Sequence, residues 1–336
     1  LQHIGVTAKR VLGVEIIVMF FPLFPLYSIC MVKDTIYAAF CLLYMLMMNE
    51  VARTKGKVFQ LWYFDLALFL DGLLMMLTKV YGMYILIVVG IIYFIVYRKY
   101  WWRILITFAL PIFLFQNIFV GVLLPLWNVA PGGIQEALSV PFQQTARYVT
   151  AAPDEVTADE RKAINEILPY QRLSKLYDPM LSDPVKKKYR QNASKEELKK
   201  YFEVWWAMFQ KHPRVYLEAT LNNTYEYYYV EKISSLEYYE FDTYLQEQDV
   251  KDRHTNLYVT NDIRMTGERY VVKNMVLALE KIPFVNVFAS VGLLPWMIFF
   301  FILLNLFRKK KGYTIAMAIP ILTLGICLVS ADNGNF

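Results

Sequence analysis

The chain has 336 residues, 57% of them hydrophobic, with a mean hydropathy of +0.33 and a formal charge of +6. This composition is too apolar for an ordinary soluble domain and points to a membrane protein. The basic residues lie in loops between apolar runs rather than in one patch, which excludes nucleic acid as the partner.

Seven stretches are long and apolar enough to span, given ~20 residues per spanning helix. They are 11–31, 35–52, 61–78, 80–97, 104–124, 284–307 and 313–330. Lipid leaves helices or closed barrels as the solutions, and continuous apolar runs without alternation mean helices. The expected fold class is all-α, a polytopic helical membrane protein with an extracellular, mainly helical domain. Its expected parts are a five-span bundle in 1–127, the helical domain in 128–283, and two further spans in 284–336.

Between the first two spans, "FPLFPLYSICMVKDTIYAAFCLLYMLMM" (21–48) leaves almost no loop and sets Lys33 beside Asp34. Asp34 is a good helix N-cap and Lys33 can snorkel to the interface. The functional alternative is that Lys33 binds a lipid phosphate while Asp34 organises an acceptor or shares its proton. Asp65 and Asp71 lie within the third span, where a buried carboxylate is costly and suggests a proton relay or a polar helix contact. Six residues apart, they fall on different faces. Gln116 and Asn117, in the fifth span, are expected to form interhelical hydrogen bonds.

Alternate short loops carry Lys9, Arg10, Arg53, Lys55, Lys57, Arg98, Lys99, Arg103 and Arg308 to Lys311, 12 basic residues against one acidic, Glu50. Segment 128–283 holds 21 basic and 23 acidic residues. By the positive-inside rule the basic loops face the cytoplasm, and 128–283 and the Lys33–Asp34 joint face outward. The chain starts without Met and its odd number of spans leaves "SADNGNF" outside, so further spans are expected on both sides.

In 128–283, "TADE" (157–160) and "SKEE" (194–197) read as capping boxes, Asp183-Pro184 as a helix start, and His212-Pro213 as a helix boundary. Pro131-Gly132-Gly133 reads as a turn, followed by "EALSVPFQQTAR". There Gln143 and Arg147 share a helical face, joined by Glu136 unless Pro141 breaks the register. A carboxylate, two amides (Gln143, Gln144) and a guanidinium suit a sugar phosphate, although an ordinary amphipathic helix has the same pattern. Trp205, Trp206, Tyr225, Tyr227, Tyr228, Tyr229, Tyr238, Tyr239 and Tyr244 either pack the domain and its membrane edge or form platforms for sugar rings. Cys30, Cys41 and Cys327 lie in spans, and His3, His212 and His254 give no metal-ligand spacing.

The stretches "FFPLFPLYSICMVKDTIYAAF", "GGIQEALSVPFQQTARYV", "LPYQRLSKLYDPMLSDPVK", "HPRVYLEATLNNTYEYYY" and "SADNGNF" resemble a family of large multi-spanning membrane proteins of Gram-positive bacteria. That family is similar to membrane glycosyltransferases of the GT-C fold. The resemblance implies transfer of a sugar from a polyprenyl-phosphate carrier to a cell-wall glycan or other envelope acceptor, at the outer membrane face. In such enzymes an acidic residue of the first outer loop deprotonates the acceptor, and basic residues steady the departing lipid phosphate. That loop is expected upstream of residue 1. Carried onto this chain, the resemblance makes Asp34 and Glu136 catalytic and Lys33, Gln143, Gln144, Arg147, Asn222 and Asn223 substrate-binding. At "LTKVYGMY" (77–84) the chain departs from the Arg-Asn-Asn-Gly-like turn expected of the family. No cofactor is assigned from the residues, and the transferase reading leaves room for a divalent cation. Two alternatives stay open: a secondary transporter or flippase using Asp65 and Asp71, and a non-catalytic scaffold that holds envelope polysaccharide.

Overall fold

A computed structural model describes residues 6–21, 23–29, 33–129, 133–230 and 266–330. Every regular element among them is a helix, as the unbroken apolar runs require. The Pro131-Gly132 part of the expected turn, Cys30, His3, His254, Tyr238, Tyr239, Tyr244 and the terminal "SADNGNF" lie outside the described residues.

The expected span at 11–31 is divided. Helix α1 (Ala8–Phe20) stops at Phe21, which is extended, and α2 (Leu23–Ile29) follows. A residue before proline is pushed out of the helical region, and residue 22 is Pro. Helix α3 (Lys33–Thr54) is 22 residues long; α4 (Trp62–Thr78) and α5 (Tyr81–Val96) are 17 and 16. Helix α6 (Arg98–Leu126) contains two π-helical stretches, Leu105–Ala109 and Leu114–Leu123. Pro111 and Pro125 flank the second stretch, and wider turns relieve the clash of a proline ring with the carbonyl one turn back. The expected span at 284–307 is also divided, into Pro283–Ala289 and Leu293–Phe307, after a helix over Thr266–Glu280. Gly312–Val329 closes the described chain.

Three helices, α3, α6 and Gly312–Val329, are long and apolar enough to cross a membrane. Tyr81–Val96 and Leu293–Phe307 are apolar but shorter. At 1.5 Å per residue, 16 residues cover about 24 Å, short of a hydrocarbon core of about 30 Å.

These helices share a core built on Tyr44, Leu68, Met75, Leu86, Tyr93, Phe108 and Phe115. Gly90 admits Phe108, which meets Tyr44 edge-on and stacks on Tyr93. The basic loops after α3, after α5 and after Leu293–Phe307 gather at one end. Gly56, at φ 82°, turns the chain out of α3 beneath Tyr97 and Tyr100, and Gly312 rests on Ala52. A side chain at Gly56 would be strained and would collide with both rings. At this end Arg103 donates to Asp65 (2.6 Å), so one of the two carboxylates of α4 has its cation.

A second core lies in 138–216. Helix α7 (Ser139–Ala151) is at its centre, with Phe142, Ala146 and Tyr148 fully buried. Helices Ala158–Ile167, Tyr170–Leu176, Lys195–Lys211 and Pro213–Thr224 surround it. Both capping boxes form, Thr157 with Glu160 and Ser194 with Glu197, and His212 ends one helix where Pro213 opens the next. The expected start at Asp183 moves by one residue, because Ser182 takes the cap position of the short helix Asp183–Lys186. Trp205 stacks on Phe209 and meets Tyr216 edge-on, so its ring packs this core.

Candidate functional site

Asp34 lies inside the first turn of α3 rather than at its cap, since the helix already includes Lys33. A carboxylate is favoured there by the helix dipole. Its cation is not Lys33, which is exposed, but Lys79, whose Nζ hydrogen-bonds Asp34 Oδ1. Lys79 is the extended residue after α4, in the very "LTKVYGMY" turn where the chain departs from the resembled pattern. Its Nζ lies 5.8 Å from the Tyr37 ring centroid and 5.2 Å from that of Tyr81, an aromatic frame that suits a partly desolvated ammonium. Lys79 is 15% exposed and Asp34 41%. The pair stands at the end of the bundle opposite the basic loops.

Two more chain segments reach this pair. Cys327, in the last turns of Gly312–Val329, feels the charges of both Lys79 and Asp34, and Tyr227 meets its thiol. Tyr227 belongs to the short 3-10 turn Tyr225–Tyr227 that continues the helix carrying Asn222 and Asn223. This segment is held against Leu293–Phe307: Trp296 Nε1 donates to Tyr228 O (2.9 Å), and Gly292 lies directly under Tyr229 O. Tyr227 and Cys327 thus lie near the Asp34–Lys79 pair, on the side where the bundle meets the second core. Asn223, just before this turn, and Glu226, within it, are buried. Lys79, Glu226 and Cys327 were not selected as site residues from sequence, whereas Tyr227 was, among the aromatics that could hold a sugar ring. The signals available were a lone lysine in an apolar hairpin turn and the run "NNTYEYYY".

Glu136 is not on the α7 helix. It ends the 3-10 turn Ile134–Glu136, and Pro141, in the first turn of α7, starts the helix rather than breaking it. Glu136 pairs with Lys186 (2.9 Å), which also holds Asp183 (2.8 Å). Burial pushes the Asp183 carboxyl up, but Lys186 and Lys187 outweigh it and hold the group below its ordinary range. Gln143 is 2% exposed and donates to Asp178 O (2.8 Å) and Leu181 O (2.9 Å). Gln144 donates to Thr220 Oγ1 (2.9 Å) and accepts from Trp205 Nε1 (3.1 Å). Arg147 donates to Glu218 (2.7 Å), and that hydrogen bond raises Arg147 and, with a second from Arg214, lowers Glu218. The polar groups of α7 therefore tie it to its neighbouring helices. Among the described residues Asn117 donates to Phe113 O of its own helix (3.0 Å) rather than to another span.

Among the described residues no three His, Cys, Asp or Glu side chains gather as metal ligands. A cavity of about 380 Å³ is lined by Arg161, Lys162, Asn165, Tyr170 and Gln171, and one of about 240 Å³ by Tyr228, Pro295, Trp296 and Phe299. The second adjoins the 225–229 segment.

No curated protein and no solved structure matches the chain. A family model described as "Family of unknown function (DUF6020)" matches residues 5–336, nearly the whole sequence, and the chain belongs to that family.

Proposed function

We propose that this chain is part of a membrane glycosyltransferase that moves a sugar from a polyprenyl-phosphate carrier to a cell-envelope glycan at the outer membrane face. In this reading 1–127 and 284–336 form a multi-pass bundle, the basic loops are cytoplasmic, and 128–283 is extracellular. The observation that carries the proposal is the Asp34–Lys79 pair, framed by Tyr37 and Tyr81 at the end away from the basic loops. Single displacement needs a carboxylate to take the acceptor proton and a cation where phosphate charge develops. As the acceptor oxygen bonds to the anomeric carbon, the C–O bond to phosphate breaks with inversion. Asp34 receives the hydroxyl proton and Lys79 holds the leaving phosphate.

The test is the full-length protein in nanodiscs with radiolabelled polyprenyl-phosphate sugars, following loss of lipid-linked label. Asp34→Asn and Lys79→Met should each lower turnover by about 10²-fold or more while melting normally. A folded protein that neither binds nor consumes any donor sinks the reading and leaves the transporter or the scaffold.

A further inference from the structure

The bundle contains a second polar feature that the transfer reaction does not use. Asp71 is 4% exposed, and neither of its carboxylate oxygens has a hydrogen-bond partner among the described residues. Its surroundings are apolar: Leu68, Met75, Met76 and Leu86 are all buried beside it in the core. Tyr44 is fully buried, its hydroxyl also unpartnered among the described residues, and its ring packs against the backbone of Gly72. Cys41 and Tyr44 both feel the Asp71 charge. Tyr37, Cys41 and Tyr44 fall on one face of α3, a turn apart. The Tyr37 hydroxyl is likewise buried, with no hydrogen bond made among the described residues, and its ring lies under Lys79.

Orphaned buried polar groups are costly, and native chains keep few of them. Here Asp71, Tyr44 and Tyr37 follow one another from mid-bundle to the Asp34–Lys79 end. An ionised carboxylate with no partner in such surroundings is far costlier than a neutral one. Arg103 is the cation that serves Asp65, so it does not serve Asp71.

We propose that Asp71 is an internal proton-binding site, and that its proton exchanges with the Asp34–Lys79 end along the Tyr37–Cys41–Tyr44 face of α3. As Tyr44 accepts a proton on a hydroxyl lone pair, it gives up its own to the next group. One proton moves, no redox partner is needed, and each hydroxyl ends as it began. The groups facing this route are Cys41 on α3, Tyr93 on α5, and Thr323 and Cys327 on Gly312–Val329. A chemical class of ligand follows: the hydrogen ion, and reagents that need a protonated carboxyl in an apolar setting.

The test uses the intact protein in nanodiscs and does not depend on sugar transfer. A hydrophobic carbodiimide should label Asp71 at neutral pH, located by peptide mass spectrometry, while soluble carbodiimide does not. The infrared carbonyl stretch of a protonated carboxyl should be present at neutral pH and absent in Asp71→Asn, an isosteric change that keeps the packing. Tyr44→Phe and Tyr37→Phe should leave that band but slow its shift in D₂O by roughly an order of magnitude. An unlabelled Asp71 without the band overturns the site. A band that exchanges equally fast in both tyrosine variants overturns the route.

Discussion

Replacing Gln143 by leucine separates a structural from a substrate-holding role for the polar residues of α7. The side chain is 2% exposed, and its amide donates to two carbonyls, Asp178 O at 2.8 Å and Leu181 O at 2.9 Å. Both belong to the loop between Tyr170–Leu176 and Asp183–Lys186, which the amide clips onto α7. Leucine keeps most of the volume but removes both donors. A buried acceptor left unpaired costs about 1–3 kcal/mol, and Asp178 is exposed enough for water to recover part of its share. The expected loss is therefore about 2–3 kcal/mol, or a fall in melting temperature on the order of 10 °C. Differential scanning fluorimetry in detergent measures the shift, and limited proteolysis should show earlier cleavage near 178–181. Donor binding per folded molecule should stay unchanged. A variant that melts within about 1 °C of wild type yet fails to bind donor would refute the reasoning, because Gln143 would then be serving substrate rather than the fold.

The remaining predictions probe other contacts. Lys186→Met leaves Glu136 and Asp183 without their shared ammonium and should cost about 2 kcal/mol in a melting assay, whereas Glu136→Gln, 58% exposed at its carboxylate, should cost under about 0.5; equal losses would sink this ranking. Glu197, hydrogen-bonded by Arg190 and then by the Ser194 backbone, is held at about 2 against an ordinary 4.5. Because the folded value is depressed, its contribution is present above about 4.5 and is lost as pH falls toward 2, so Glu197→Gln should flatten the pH dependence of acid unfolding in that window. Gly292→Ala places a methyl 2.4 Å from Tyr229 O, and with an ordinary backbone at Gly292 the effect is purely spatial. It should cost about 1–3 kcal/mol and speed hydrogen exchange at 225–229; unchanged exchange there would mean the contact is not held in solution.

Local signals were read from the sequence with most success. The capping boxes at Thr157 and Ser194 depend on two side chains three residues apart, and His212-Pro213 on adjacent ones. The all-α class follows from the apolar runs, because lipid excludes most alternatives. The breaks at Phe21-Pro22 and near Gly292 were also written in local residues, but hydropathy alone ran across both. The π-helical turns of α6 have no period that a 3.6-residue pattern detects. At α7 the periodicity correctly put Gln143 and Arg147 on one helix, yet it could not tell what that helix faces. Asp178 is 35 residues from Gln143 and Glu218 is 71 from Arg147. The same holds for Asp34, whose adjacent Lys33 looked like its partner while Lys79, 45 residues away, occupies that place.

That exchange of partners bears on the proposed chemistry. A Lys33–Asp34 pair would have been a property of one interfacial turn, with both charges in water and little energy at stake. An Asp34–Lys79 pair instead joins the start of α3 to the turn between α4 and α5. Lys79 is mostly covered by Tyr37 and Tyr81, while Asp34 is left about two-fifths exposed. The ammonium, being the more desolvated member, would pay for any loss of its anion, so it has to keep one. The carboxylate can leave for water at smaller cost. A phosphate arriving at the proposed outer end would therefore replace Asp34 on Lys79 without stranding a charge, and Asp34, released toward solvent, would be free to receive an acceptor proton. The asymmetry predicts an order of effects: Lys79→Met should weaken donor binding itself, whereas Asp34→Asn should leave donor binding near wild type and lower turnover. Donor titration and turnover on the two variants, measured side by side in nanodiscs, read that order directly. The reverse order would mean that the pair serves the fold and that the reacting groups lie elsewhere.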